Sequence, residues 1–286
     1  MLKSRALRGL LFALLLSLLQ SNAVAVTLRL CQTDAARYGY RMALLQLLLD
    51  KTSRVGEHNR LLPWSKGGDP AQDRCLGLLR EREVDVVYLP PTPQRLAELA
   101  VIPIDLHQGM LGYRLLLINR KDTARFADVH SLADLRQLKG GFGRQWSDFV
   151  LFERNQLPVV GANNSKTLMA MLEAGRFDYF HRGLHEAWAE LAEQPAGSPL
   201  IVEPHLALHY AFPVYLMLHP DDRALHQRLQ RAFELVLADG SFKALFVREF
   251  GDIVQRAQLK RRTIIELDFP LPSGLPAIDS QLWLGR

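Results

Sequence analysis

The alternation of short apolar segments with amphipathic helical stretches constrains this chain more than any other feature. Residues 84–88, Val-Asp-Val-Val-Tyr, form a nearly continuous apolar run of the kind a strand covered on both faces requires. Before it, residues 27–31 and 60–64 read as strands. Residues 38–52 read as a helix with Met42, Leu45, Leu48 and Leu49 on one face, and a second helix spans 70–82. Strand and helix in this order predict an α/β sheet. A strand at 113–119 then opens a region with its own signals at 131–138, 140–143, 148–155, 166–174 and 177–180. The chain returns through a strand-like run at 209–219, which contains Pro213. It ends in helices at 221–238, closed by Asp239-Gly240, and at 241–250. Two strand-like passages flanking an inserted α/β unit predict two lobes joined by two crossover segments that can hinge.

The N-terminus has a separate role. Lys3, Arg5 and Arg8 precede an apolar run of about ten residues and then Ala23-Val24-Ala25, the layout of a signal peptide cleaved after Ala25. The run is far shorter than the ~20 residues needed to span a bilayer, and no cysteine stands at the cleavage point to take a lipid. The expected product is a periplasmic chain from Val26 onward, with no membrane insertion. Three of the net +5 charges belong to the leader, so the rest of the chain carries +2. The only basic run, Lys260-Arg261-Arg262, is too short to track phosphates and fits a solvated surface, which argues against nucleic acid. The expected organisation is a leader at 1–25, one lobe from 26–118 plus 212–257, an inserted lobe at 119–211, and a tail at 258–286. Pro270, Pro272 and Pro276 keep that tail from forming a helix, so it is expected to wrap over a lobe with Trp283 as anchor.

Cys31 closes the first strand and Cys75 lies on the apolar face of the second helix. Export makes a disulfide possible, but the preferred reading is two separately buried thiols, because free cysteine is among the most buried residue types. Neither has a partner at metal-ligand spacing, and His181 and His185 lack a third ligand, so no metal is expected. Hydrolase elbows, zinc-protease helices and phosphate-binding loops are absent from the sequence. No cofactor and no enzyme activity are therefore expected, although an exported enzyme is the least favoured alternative.

Five segments resemble the type II periplasmic solute-binding proteins, and within them the family 3 group that delivers polar amino acids to ABC transporters. Residues 79–87 are similar to that group's helix-to-strand segment ending in Val-Asp-Val-Val, and Thr92-Pro93-Gln94-Arg95 to its TPER turn. Residues 131–135 resemble its SLADL motif, residues 171–178 its LxxGRxD motif, and residues 237–242 its DGSF motif. Their order covers the chain from about 27 to 250. The resemblance implies a two-lobe periplasmic binding protein-like fold that captures a small, carboxylate-bearing ligand in an interlobe cleft. It implies as partner an inner-membrane ABC permease, or alternatively a membrane receptor that senses the loaded form, and a monomeric chain.

Cleft ligands in such folds sit where strand ends meet helix N-termini. That places Tyr38 and Tyr40 after the first strand, with Tyr88, Thr92 and Arg95 after the strand at 84–88. Arg95 matches the family arginine that forks onto a ligand carboxylate. In the second lobe the candidates are Arg144, Trp146 and Ser147, although a hydroxyl there also suits a helix cap. His107, His205 and His219 read as surface or satisfied core positions. Amino-acid binders carry an aspartate for the ligand's ammonium at the position occupied here by Gly183. Its absence disfavours an α-amino acid, and the neighbouring Arg182 suits an anion. Two alternatives stay open: Arg182 pairs internally with Asp178 or Glu186, or Glu186 takes over the missing aspartate's work.

Overall fold

The computed structural model describes residues 26–64, 70–146 and 148–276; the leader, Ser147 and Trp283 lie outside them. The chain begins β1 (Thr27–Leu30), α1 (Ala35–Lys51), β2 (Arg60–Pro63), α2 (Gln72–Arg80), β3 (Val86–Leu89), α3 (Pro93–Glu98) and β4 (Ala100–Ile102). It crosses to β5 (Tyr113–Asn119), α4 (Thr123–Ala127), α5 (Leu132–Leu135), β6 (Gly140–Gly143), α6 (Val150–Arg154), β7 (Val159–Ala162), α7 (Ser165–Glu173), β8 (Tyr179–Gly183), α8 (Leu184–Ala192), β9 (Leu200–Val202) and β10 (Leu206–His209). It returns to β11 (Tyr215–Leu218), α9 (Arg223–Ala238) and α10 (Ser241–Ala257), and finishes with β12 (Thr263–Glu266).

Two sheets result. The first has the order β2-β1-β3-β11-β4, and the second has the order β12-β10-β5-β8-β6-β7 with β9 on the far end of β5. Every residue of β3, β5 and β11 is buried, which is why these strands read as continuous apolar runs rather than alternating ones. The run at 209–219 is not one strand. Pro213 has no N–H to give a ladder, and it falls between β10 and β11, which belong to different sheets. In α9, Leu229, Ala232, Phe233 and Val236 are buried at helical spacing, and the helix stops before Gly240, whose φ of 76° suits glycine.

Two adjacent segments, 103–112 and 210–214, join the sheets. They are paired directly: Leu106 N–H donates to Val214 O at 3.0 Å and Tyr210 N–H to Gly112 O at 3.2 Å. A Cβ at Gly112 would lie 2.4 Å from Tyr210 O, so only glycine allows this approach. A third connection follows α10, since the tail carries β12 into the second sheet, parallel to β10.

The cysteines are bonded to each other, with Cα atoms 5.6 Å apart. The expectation of two separate thiols is therefore corrected. Both residues do lie in the core, 3% and 1% exposed, but the start of α2 folds back onto the end of β1, where Gln32 Nε2 donates to Pro70 O at 3.1 Å. Burial and bonding were compatible, and sequence separation concealed the contact. Among the described residues, no helix is long and apolar enough to cross a membrane.

Candidate ligand site at the junction of the sheets

The site begins with a turn on the first crossing segment. Asp105 is enclosed there and accepts three backbone N–H groups: His107 at 3.2 Å, Gly109 at 2.5 Å and Val214 at 3.1 Å. It thereby fixes its own turn and ties that turn to the second crossing. Within the turn Gln108 takes φ of 52° and Gly109 φ of 88°. A left-handed glutamine is uncommon and persists where the surroundings dictate it. Burial pushes the Asp105 carboxyl up to about 6, outweighing the three donors.

That shift carries a sign. The folded carboxyl holds its proton at a higher pH than the unfolded one, so its contribution to stability is present below about pH 4 and lost as pH rises to about 6. Relative to Asp105→Asn, the unfolding free energy of the wild type is expected to gain up to ~3 kcal/mol between pH 7 and pH 4. Paired urea titrations at several pH values measure this difference, and a difference independent of pH would contradict it.

Around this turn, polar atoms from three directions are buried without hydrogen-bond partners. They are Tyr88 Oη at the end of β3, His107 Nδ1 and Gln108 Nε2 on the crossing, and His185 Nδ1 in the first turn of α8. Tyr88, His107 and Gln108 are at most 5% exposed. Orphaned polar atoms are rare in native interiors, and each calls for an explanation. Burial holds both histidines below their ordinary range and hence neutral. The side chain of Phe250 on α10 bridges the junction, 4.7 Å from Tyr40, 6.1 Å from His107 and 6.5 Å from His185 between ring centres.

Beside them stands Arg41, which the sequence reading did not single out. Its guanidinium lies over Tyr38 at 5.2 Å and Tyr88 at 5.8 Å and makes no hydrogen bond or ion pair with any described residue. Burial disfavours its charge, but an arginine remains a cation. A signal was available in the sequence: Arg41 precedes Leu44, Leu45 and Leu48 by three, four and seven residues, which puts a charge on the buried stripe of α1. His107 likewise departs from expectation, being buried but unsatisfied. His205 and His219 have carboxylate neighbours, Glu203 and Asp221.

The sequence-based candidates divide. Tyr38 and Tyr88 flank Arg41. Tyr40 is packed in the core, and its hydroxyl donates to Leu106 O at 2.7 Å. Thr92 caps α3, accepting from Arg95 N–H at 3.1 Å, while Arg95 turns back to donate to Pro90 O at 2.8 Å and lies 3.9 Å from Asp73. Arg144 is exposed and donates to Gly161 O at 3.1 Å. Trp146 stacks on Phe180 at 6.1 Å, and Arg182 lies 4.9 Å from each of those two rings.

Of the two alternatives left open for Arg182, internal pairing describes the geometry. Its guanidinium meets Glu190 at 2.5 Å and Glu186 at 2.9 Å, whereas Asp178 pairs with Arg125 at 2.7 Å. Glu186 is engaged as well. It accepts Gly183 N–H at 2.9 Å and has Arg114 at 3.9 Å, and the surrounding cations hold it well below the usual carboxylate range despite burial. Arg114 is itself paired with Asp148 at 3.4 Å beneath the Tyr210 ring. Among the described residues, no cluster of three or more His, Cys, Asp or Glu side chains could hold a metal.

No protein-family model matches the chain, and no curated protein matches it by sequence. Solved structures do match. The probable amino-acid ABC transporter extracellular-binding protein ytmK from Bacillus subtilis superposes with a TM-score of 0.62 at 13% identity, covering 80% of this chain and 99% of that one. An ancestral arginine-binding protein bound to glutamine gives 0.55 at 16% identity, with coverage of 80% and 99%. The periplasmic VFT2 domain of BvgS from Bordetella pertussis gives 0.54 at 17% identity, covering 78% and 92%. At such identities the likeness is one of fold, and the chain has the two-lobe α/β architecture of periplasmic binding proteins.

Proposed function

We propose that this chain is a periplasmic solute-binding protein that captures a small polar solute at the junction of its lobes and presents it to an inner-membrane ABC permease. The observation that carries this reading is the convergence of unpartnered polar side chains from β3, the first crossing and α8. Groups from both lobes gain partners together only when a solute lies between them. A ligand that contacts both sides binds the closed arrangement better than the open one, and that difference is what shifts the equilibrium between them. The role is binding rather than catalysis, since the orphaned groups are neutral donors and acceptors around Arg41, with no paired nucleophile and base among the described residues.

A second reading, a sensor module that docks on a membrane receptor, uses the same site. The histidine kinase sensor domain that shares this fold, with a TM-score of 0.54 at 14% identity, supports it. Gene neighbourhood separates the two, because a permease and ATPase alongside would favour transport.

The test is to express the full chain in a Gram-negative host, recover it from the periplasmic fraction and examine it by native mass spectrometry and thermal shift. The expected product begins at Val26 and releases or accepts a small molecule. Ligand at one hundred times its dissociation constant adds roughly 2.7 kcal/mol, a rise of roughly 5–10 °C for a chain of this size. Failure to retain any small molecule, together with an unshifted melt across organic acids, amino acids, polyamines and sugars, would remove the proposal.

A further inference from the structure

Taking the junction as the solute site, we infer that Arg41 receives the charge of the ligand, and that the ligand is a small carboxylate without an ammonium group. Of the arginines around the junction, Arg182 is held by Glu186 and Glu190, and Arg114 by Asp148. Among the described residues Arg41 makes no ion pair or hydrogen bond; the faces of Tyr38 and Tyr88 lie against it, and the nearest acid acting on it, Asp105, is taken up by backbone N–H groups. Its five N–H donors form a planar fork that matches a carboxylate's two oxygens, and the ring under the same guanidinium, Tyr88, carries an orphaned hydroxyl. The two tyrosine faces restrict the approach to that fork and favour a flat group there.

The exclusion of an ammonium follows from the acids. A buried ammonium needs a carboxylate whose charge is not already committed to other partners. Both oxygens of Asp105 are occupied by backbone N–H groups. Both oxygens of Glu186 are occupied too, one by Arg182 and the other by Gly183 N–H. A Cβ at Gly183 would fall 3.0 Å from Glu186 Oε2 and 3.0 Å from the His185 ring, so an acidic side chain at that position would meet space already filled. An ammonium placed there would lie beside Glu186, whose charge is already shared by Arg182 and Arg114.

Calorimetry on the periplasmic chain tests this with succinate, benzoate, L-glutamine, L-arginine and glucose as probes, alongside Arg41→Met and Arg41→Lys. Wild type is expected to bind at least one of the two carboxylates and neither amino acid. Arg41→Met should weaken that binding on the order of 100-fold, the usual loss when one partner of a desolvated charge pair is removed. Arg41→Lys, which keeps the charge but loses the fork, should weaken it about tenfold. The unliganded melting temperature should stay level or rise in Arg41→Met, because an unpaired cation has left a half-buried position. A merely structural arginine would lower it. Circular dichroism verifies that both variants fold, and Arg41→Lys alone decides the matter if Arg41→Met does not. Binding of L-glutamine or L-arginine in preference to the carboxylates, or carboxylate affinity indifferent to Arg41, would overturn the inference while leaving solute binding intact. Binding of none of the probes, with no small molecule released on denaturation, would overturn both.

Discussion

Replacing Cys31 and Cys75 together by serine is expected to lower the melting temperature by roughly 6–12 °C. The bridge spans 44 residues, and closing a loop of that length removes unfolded-chain entropy worth at most about 4 kcal/mol, with about 2–4 typical for native bridges. At 2–4 °C per kcal/mol for chains of this size, a loss of about 3 kcal/mol gives the stated range. A local effect adds to the entropic one. Cys31 and Cys75 belong to a separate apolar cluster with Leu78, Leu79, Val87 and Tyr215, apart from the main core, and two serine hydroxyls there would be buried. Because both sulfurs belong to residues at most 3% exposed, reductant should act on the native chain only through local opening. Parallel thermal melts of wild type, the double serine variant and wild type kept in reductant provide the measurement. Identical melts for all three would mean that the bridge does not form in the native protein.

Much of the fold was legible because the central strands are covered on both faces. Residues 84–88 and 113–119 could hardly be anything else, and the 3.6-residue pattern of α9 leads directly to its buried face. Three short strands were not legible: β4, β7 and β9 have three or four residues each, too few for a period to show, and β7 is only half-buried throughout. The candidate site was legible in position more than in residues. Strand ends and helix N-termini do meet at the junction, and Tyr38 and Tyr88 stand there. Which arginine is available, however, depends on what each one touches. Arg95, singled out by its motif, bends back to its own Pro90 carbonyl, and Arg182 is neutralised by acids four and eight residues later. Arg41 lies beyond such partners, a fact fixed by tertiary packing alone. His107 read as a surface or satisfied core position and Gln108 escaped notice, because nothing in a glutamine side chain encodes the left-handed backbone that aims the turn. The cysteine pair is similar, since 44 residues of chain leave the distance between two thiols undetermined.

Ending the chain after Arg262 is expected to cost on the order of 5 kcal/mol, a fall of roughly 10–20 °C in melting temperature. The segment removed contains β12, which lies at the edge of the second sheet and pairs with β10 from Thr263 to Glu266. Ile265 and Leu267 are buried at 4% and 6% exposure, and each such side chain contributes about 1.5–3 kcal/mol. The same cut removes Asp268, whose N–H donates to Asn155 Oδ1 at 2.7 Å. The 2%-exposed Asn155 would then lose the acceptor that its amide finds in Asp268 O at 3.0 Å, and the edge of β10 would be left open to pairing with other chains. A later cut, after Asp268, keeps the strand and removes Phe269, whose ring lies 5.6 Å from Tyr210 and 6.2 Å from Phe212. That variant should melt only a few degrees lower, in proportion to one half-buried aromatic and the partly buried Leu275, and should still bind ligand, because Arg41, Tyr88, His107 and His185 belong to other elements. The order of the three melts is the measurement. If the chain cut after Arg262 melts with the full-length protein, the tail is not part of the second sheet.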